Sequence, residues 1–205
     1  MSTLEPVQLV RGTAVVVPGD DIDTDRIIPA RFLKVITFDA LGPELFRDER
    51  YEEDGTPKDH PLNAAGAEAA KVLVTGQNFG SGSSREHAPQ SIHKAGFEAI
   101  VAGSFAEIFF GNATTLGMAC LTLDPEDLGL LQAQLASEPS TIVEVDVEQQ
   151  EVRAGDRIYP GHVPEGARGA LLSGRWDPLS DLLEAADDAV ALATRLGYRT
   201  AEHSS

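Results

Sequence analysis

The chain has 205 residues, with 16 basic and 33 acidic side chains, a formal net charge of −17 and a single cysteine. A chain of this length can bury about 70% of the surface that it exposes when unfolded, so a real hydrophobic core is expected. The acidic balance argues against nucleic acid and anionic membranes as partners, because both repel a negative surface. One cysteine can form neither an intrachain disulfide nor a thiolate-rich metal site, so any iron–sulfur cluster must come from a partner.

No stretch of the sequence approaches the roughly 20 apolar residues that cross a bilayer, and residues 1–6 lack the pattern of a secretion signal. We therefore expect a cytoplasmic protein. If its ligand is an anion, the binding site must be an electropositive region on an otherwise negative surface.

The first predicted element is a buried strand at residues 12–17, a β-branched run that ends at Pro18 and Gly19. An Asp-rich loop follows, and a short helix is predicted over residues 39–46. Residues 48–63 are charged and rich in turn formers, and we expect them to form an exposed, mobile excursion.

From residue 71 onwards, strands and helices alternate at a short spacing that is typical of parallel βαβ units. The pattern predicts strands at residues 72–75, 98–102 and 118–123, and helices ending near residue 96, over 104–115 and over 124–136. Residues 141–159 alternate with period two and predict an antiparallel hairpin or meander. Apolar residues at helical spacing predict an amphipathic helix over residues 179–196.

These elements predict one α/β domain, with a central mainly parallel sheet, a smaller antiparallel sheet and flanking helices. We expect its core at about residues 12–160 and a C-terminal helical extension at about residues 161–205.

A loop rich in glycine and serine, residues 76–83, joins a predicted strand to a predicted helix. Glycines let the backbone approach a ligand closely, and the first turn of a helix attracts anions. Arg85, placed at that turn, could bind a carboxylate through two hydrogen bonds, which would supply the expected electropositive region. The loop alone is also consistent with an ordinary tight connection, in which Ser83 or Ser84 merely caps the helix.

A second polar segment, residues 20–29, follows the first strand. Its alternating aspartates imitate a calcium loop, but Arg26 and Phe32 stand where such a loop requires glycine and glutamate. The segment either stabilises a turn or brings Asp25 and Arg26 to the site beside the glycine loop. We expect no metal site in this chain, because its histidines do not share a ligand spacing on one helix face.

Three segments of the sequence together resemble a known family. They read DTDRIIP at residues 23–29, NFGSGSSREHAP at residues 78–89 and SFAEIFFGN at residues 104–112. In this order they resemble the β/β/α swivel domain of the aconitase superfamily and, within it, the small subunits of 3-isopropylmalate dehydratase. The resemblance runs from about residue 12 to residue 152.

The resemblance implies a hydro-lyase of leucine biosynthesis. Such an enzyme interconverts 2-isopropylmalate and 3-isopropylmalate by dehydration and rehydration through 2-isopropylmaleate. It also implies that this chain binds no cofactor of its own and is active only with a large subunit, which carries a [4Fe–4S] cluster. The substrate would be a small dicarboxylate.

The resemblance also implies roles for single residues. Ser83 matches the serine base that removes the proton next to a carboxylate. Asp25 matches an aspartate that orients site groups, and Ser84 and Arg85 match positions that hold a substrate carboxylate.

A candidate specificity loop lies downstream of Asp25. It comprises Arg31, Phe32, Leu33 and Lys34. These residues offer no clear counterpart to the arginine with which aconitases bind a third carboxylate, and Glu107 replaces another aconitase arginine. This loss of positive charge favours a substrate with an apolar branch. Lys34 leaves a homoaconitase or methylmalate-type dehydratase open, and a non-catalytic anion-binding module is the remaining alternative.

Overall fold

The computed structural model of the chain describes residues 5–34, 37–83 and 85–175. The predicted amphipathic helix at residues 179–196 lies outside these ranges, as does Ser84 of the predicted site. Every helix in the described residues falls short of the length and hydropathy that a bilayer-crossing segment needs.

Within the described residues, seven strands form one closed barrel. They are β1 (Leu9–Val16), β2 (Val72–Val74), β3 (Ala99–Ala102), β4 (Ala119–Leu123), β5 (Ile142–Asp146), β6 (Glu151–Ala154) and β7 (Arg157–His162). Around the barrel the order is β1, β2, β3, β4, β7, β6, β5. Strands β1 to β4 pair in parallel and β5 to β7 form an antiparallel meander, so both predicted pairing patterns are confirmed.

The predicted fold, with a central parallel sheet beside a separate, smaller antiparallel sheet, is wrong, because the two sheets close into one barrel. Strand β1 is shared, since Leu9–Thr13 pairs with β5 and Ala14–Val16 pairs with β2. On the opposite side, Thr122 and Leu123 of β4 pair antiparallel with β7. Periodicity detects each strand but does not report which edges pair, so the closure is not visible in the sequence pattern.

The helices of the described region connect the strands and cover the outside of the parallel half. They are α1 (Thr24–Ile27), α2 (Arg47–Arg50), α3 (His87–Lys94), α4 (Glu107–Thr115), α5 (Pro125–Ser137) and α6 (Glu165–Ser173). Short 3-10 turns lie at Ala30–Lys34, Phe38–Ala40, Gly42–Glu44, Pro61–Asn63 and Ala67–Ala69.

Two of these elements change the sequence-based expectation for residues 38–63. The predicted helix over residues 39–46 is two 3-10 turns, since Pro43 lacks an N–H and its ring obstructs the preceding turn. Residues 48–63 contain part of α2 and a 3-10 turn. The Asn63 side chain closes this segment by donating to the carbonyls of Arg50 (2.7 Å) and Lys58 (3.1 Å).

Two hydrophobic layers lie on the two faces of the parallel strands. Alternate residues of all seven strands, such as Val72 and Val74, fill the barrel interior together with leucines of α5. The intervening residues, such as Leu73, face an outer layer that also includes Ile27 of α1 and Phe79. Because both faces are buried, β2 is a continuous apolar run, as is typical of parallel strands. The outer layer supports the loops that form the candidate site.

Candidate active site

The three sequence segments that carry the resemblance meet at one end of the parallel strands. The loops after β1 and β2 are joined by backbone hydrogen bonds, among them Gly80 N to Ile22 O (2.8 Å). Phe79 in turn exchanges backbone hydrogen bonds with the segment after β3, through Ser104 O (3.0 Å) and the N–H of Ala106 (2.9 Å). Carboxyl ends of parallel strands share one edge of a sheet, and ligand sites of α/β proteins lie there.

The glycine loop is held close to helix α4. A Cβ atom added to Gly80 would lie 2.2 Å from Cγ of Phe109, so the backbone passes directly over this ring. Phe109 is buried and stands edge-on against Phe79, with 5.1 Å between the ring centroids. The loop is therefore fixed by packing on its apolar side, which leaves residues 81–85 on its polar side for a ligand.

Helix α1 has four residues and carries Asp25, which pairs with Arg85 of the glycine loop. Asp23 caps the helix, because its Oδ1 atom accepts from the N–H of Arg26 at 2.8 Å. The Arg85 side chain is 24% exposed, and Asp25 is its hydrogen-bond partner within the described residues. The other guanidinium N–H groups of Arg85 are thus available to a carboxylate, while Asp25 holds the plane of the guanidinium.

Ser83 lies at the exposed tip of the same loop. Its N–H donates to Oγ1 of Thr24 (3.2 Å), and its carbonyl accepts from the N–H of Arg85 (2.8 Å). Its Oγ atom makes no hydrogen bond to any residue that the structure describes, so the hydroxyl is available to a ligand. The sequence analysis assigned no separate role to Thr24, although it lies inside the first motif between Asp23 and Asp25.

The helix after the loop begins later than expected. Helix α3 starts at His87, so Ser83 and Arg85 precede it and do not lie in its first turn. The N–H of Ser83 is also occupied by Thr24. The positive charge closest to Ser83 in the chain is consequently the side chain of Arg85, and the helix terminus is a weaker contributor than expected.

Arg26 does not enter the site, contrary to one interpretation of the sequence. Its guanidinium binds Glu49 of α2, with Nε to Oε1 at 2.5 Å and Nη2 to Oε2 at 3.3 Å. This hydrogen-bonded carboxylate raises the pKa of Arg26 above its usual value. Arg26 therefore fastens α1 to α2 and faces away from Arg85.

The candidate specificity loop forms the 3-10 turn Ala30–Lys34. Arg31 makes a two-fold hydrogen-bonded ion pair with Asp48 of α2, and its guanidinium carbon lies 4.7 Å from the ring centroid of Phe32. The hydrogen bonds from Arg31 hold the pKa of Asp48 below its usual range. Lys34 is exposed and has no ion-pair partner among the described residues. No contact of this turn with Ser83 or Arg85 is present within the described residues.

The chain does not offer the ligands of an iron–sulfur cluster. Cys120 is fully buried in the outer hydrophobic layer, and burial raises the pKa of its thiol. Over residues 5–34, 37–83 and 85–175, no three His, Cys, Asp or Glu side chains are grouped so that they could hold a metal ion. A thiolate-ligated cluster does not fit these residues.

Comparisons with known proteins identify this arrangement. The family model of the aconitase C-terminal domain matches residues 4–126. The barrel and its three converging loops are therefore those of an aconitase C-terminal domain, which confirms the resemblance found in the sequence.

The relatives are more specific. A 3-isopropylmalate dehydratase small subunit of Thermus thermophilus is 55% identical over 184 residues, which are 90% of this chain and 92% of the relative. The protein of the same name from Synechocystis is 43% identical over 195 residues, covering 95% and 96% of the two chains. A crystal structure of 3-isopropylmalate dehydratase from Methanocaldococcus jannaschii matches with a TM-score of 0.62 and 27% identity, over 87% of this chain and 99% of that one. The chain belongs to the family of 3-isopropylmalate dehydratase small subunits.

Proposed function

We propose that this chain is the small subunit of a cytoplasmic hydro-lyase, which interconverts 2-isopropylmalate and 3-isopropylmalate through 2-isopropylmaleate in leucine biosynthesis. The family membership, with 55% identity across nearly the whole of both chains, supports this assignment. The observation that carries the chemistry is the pairing on one support of a free serine hydroxyl, Ser83, with an arginine, Arg85, whose remaining donors are free.

Arg85 would bind a carboxylate of the substrate. Asp25 occupies one guanidinium nitrogen of Arg85 and fixes its orientation, so the other N–H groups meet the substrate with little loss of side-chain freedom. Ser84 is proposed as a second donor to this carboxylate from its position in the motif alone. Such a clamp places the carbon next to the carboxylate over the loop tip that carries Ser83.

Ser83 would remove the proton from that carbon. The C–H electron pair then forms the double bond of 2-isopropylmaleate, and hydroxide leaves from the neighbouring carbon. Addition of water with the two positions exchanged gives the isomer. A serine at its ordinary pKa is a poor base, so its alkoxide needs nearby positive charge, which Arg85 supplies.

A large subunit is proposed as the partner, and it would carry the [4Fe–4S] cluster. The words "small subunit" in the relatives' names support a second chain. The single, buried Cys120 supports placing the thiolates of a cluster on that partner.

The experiment is to copurify this chain with its large subunit and to assay 2-isopropylmalate. Ser83→Ala should lower turnover by about 10²–10⁴-fold, the usual contribution of a positioned acid or base, while the complex still assembles. Ser173→Ala is the matched control, because this hydroxyl bonds only to nearby backbone groups within and beyond α6. Near-normal turnover by Ser83→Ala would exclude Ser83 as the base. Activity of the small subunit alone would refute the division of roles.

A related dehydratase acting on homoaconitate is the second candidate, because exposed Lys34 has no ion-pair partner within the described residues and could meet an extra carboxylate. Asp48 neutralises Arg31, the other cation of the same turn, which favours an apolar branch. Turnover of 2-isopropylmalate and homocitrate should be measured side by side with one preparation. Preference for homocitrate would transfer the assignment to the second candidate.

A further inference from the structure

The buried residue Thr24 contacts the glycine loop twice. Its N–H donates to Ser81 O at 2.9 Å, and its Oγ1 atom accepts from the N–H of Ser83 at 3.2 Å. Thr24 is 1% exposed, so both bonds are shielded from water. A buried polar group without a partner costs free energy, and the Thr24 hydroxyl therefore holds the Ser83 amide in one place.

The threonine side chain is well suited to this contact. Its β-branched side chain has few χ1 rotamers, which keeps the hydroxyl aimed at Ser83. Valine would fill the same volume but has no acceptor, and the Ser83 N–H would then lose its partner. The hydrogen bond, and not the shape of the side chain, distinguishes the two residues.

Thr24 and Asp25 are consecutive in α1 and bind the two parts of the proposed site. Thr24 binds the backbone of Ser83, and Asp25 binds the guanidinium of Arg85. One helical turn thus fixes the distance between the proposed base and the proposed carboxylate clamp. Catalysis depends steeply on such distances, since a displacement of about 1 Å can cost about 10²-fold in rate.

We propose that Thr24 is a positioning residue, whose buried hydroxyl sets Ser83 at the correct distance from the carbon that loses its proton. This inference rests on the proposed function, because it concerns the base of that reaction. It predicts a loss in kcat and not in substrate binding, since Arg85 is held independently by Asp25.

The test uses the assembled enzyme. Thr24→Val should lower kcat by about 10–100-fold and leave KM within about threefold, and Thr24→Ser should restore kcat to within about threefold of the original. Thr114→Val is the matched control, because Thr114 is equally buried but its hydroxyl donates to the carbonyl of Phe110 within α4. A kcat for Thr24→Val equal to that of Thr114→Val would overturn the proposal, as would failure of Thr24→Ser to restore it.

Two further measurements keep the test decisive. If Thr24→Val does not assemble, Thr24→Ser and Thr24→Ala replace it, because both lose the methyl group and only the first keeps the hydroxyl. Amide hydrogen exchange at Ser83 in the full-length chain should be about tenfold faster in the variant without the hydroxyl. If the enzyme does not act on 2-isopropylmalate, the proposed function fails, and unchanged exchange at Ser83 would separately refute the role of Thr24.

Discussion

Gly80 offers the sharpest test of how the site loop is held. Its φ angle is +78°, in the left-handed region, and an added Cβ would lie 2.2 Å and 2.4 Å from Cγ and Cδ2 of Phe109. Ordinary contacts of a Cβ begin at 3.4 Å. In Gly80→Ala, either the buried Phe109 ring or the loop must therefore move by about 1 Å.

The expected cost has two parts. The left-handed conformation costs an alanine about 1–2 kcal/mol, of which the stiffer unfolded chain returns about 0.4–1 kcal/mol. Displacing a packed aromatic ring adds about 1–3 kcal/mol. Gly80→Ala should accordingly lower the free energy of unfolding by about 2–4 kcal/mol. It should also lower kcat, because Ser83 lies three residues further along the same loop.

Gly96→Ala separates the two parts. Gly96 follows α3 with a φ angle of +101°, and its added Cβ would have nothing within 4 Å. This variant carries only the backbone cost and should lose about 1 kcal/mol with normal turnover. Urea unfolding of both variants, with activity of the assembled enzyme, gives the comparison. Equal losses of stability in the two variants would refute the conclusion that Phe109 confines the loop.

Three other changes should have distinct effects. Thr75→Val should raise the free energy of unfolding in urea by about 1 kcal/mol, because the fully buried Thr75 hydroxyl has no hydrogen-bond partner in the described structure. Burial lowers the pKa of His60 below 6.5, so the unfolded chain binds more protons and stability should fall as pH drops below about 6.5. His60→Asn, which can still accept from the N–H of Leu62, should flatten this slope in denaturation series between pH 7 and 5. Asp25→Asn should raise KM for the substrate by about 3–10-fold with little change in Tm, because its ion pair with Arg85 is largely exposed and stabilises the fold only weakly; an unchanged KM would count against the role of Asp25.

The sequence is most informative where chain order alone dictates proximity. Parallel strands bring their carboxyl ends together, so the meeting of the three motif segments could be expected from the βαβ pattern. The start of α3 was harder to locate, because residues 83–86 combine helix formers with capping residues. The structure begins the helix at His87. Closure of the barrel depends on edge pairing between β1 and β5, which are more than 100 residues apart in the sequence.

The attachment of α2 to the site was beyond prediction for a different reason. The chain has 16 basic and 33 acidic side chains, so every cation has many candidate partners and charge alone selects none. The pairs Arg26–Glu49 and Arg31–Asp48 form because residues 47–50 fold into a helical turn beside α1 and the candidate specificity loop. Surface pairs of this kind contribute little to stability, so their effect is on local geometry.

Helix α1 cannot be stable by itself, since a helix of four residues is far shorter than the roughly 12 residues needed in isolation. It persists because Asp23 caps it, Ile27 is fully buried and the N–H of Phe46 donates to the carbonyl of Ile27 at 2.8 Å. The same turn holds both halves of the proposed site. A substitution that loosens the core beneath it, such as Ile27→Val, should therefore cost about 1 kcal/mol in stability and a larger factor in kcat than an equally destabilising change on the far side of the barrel.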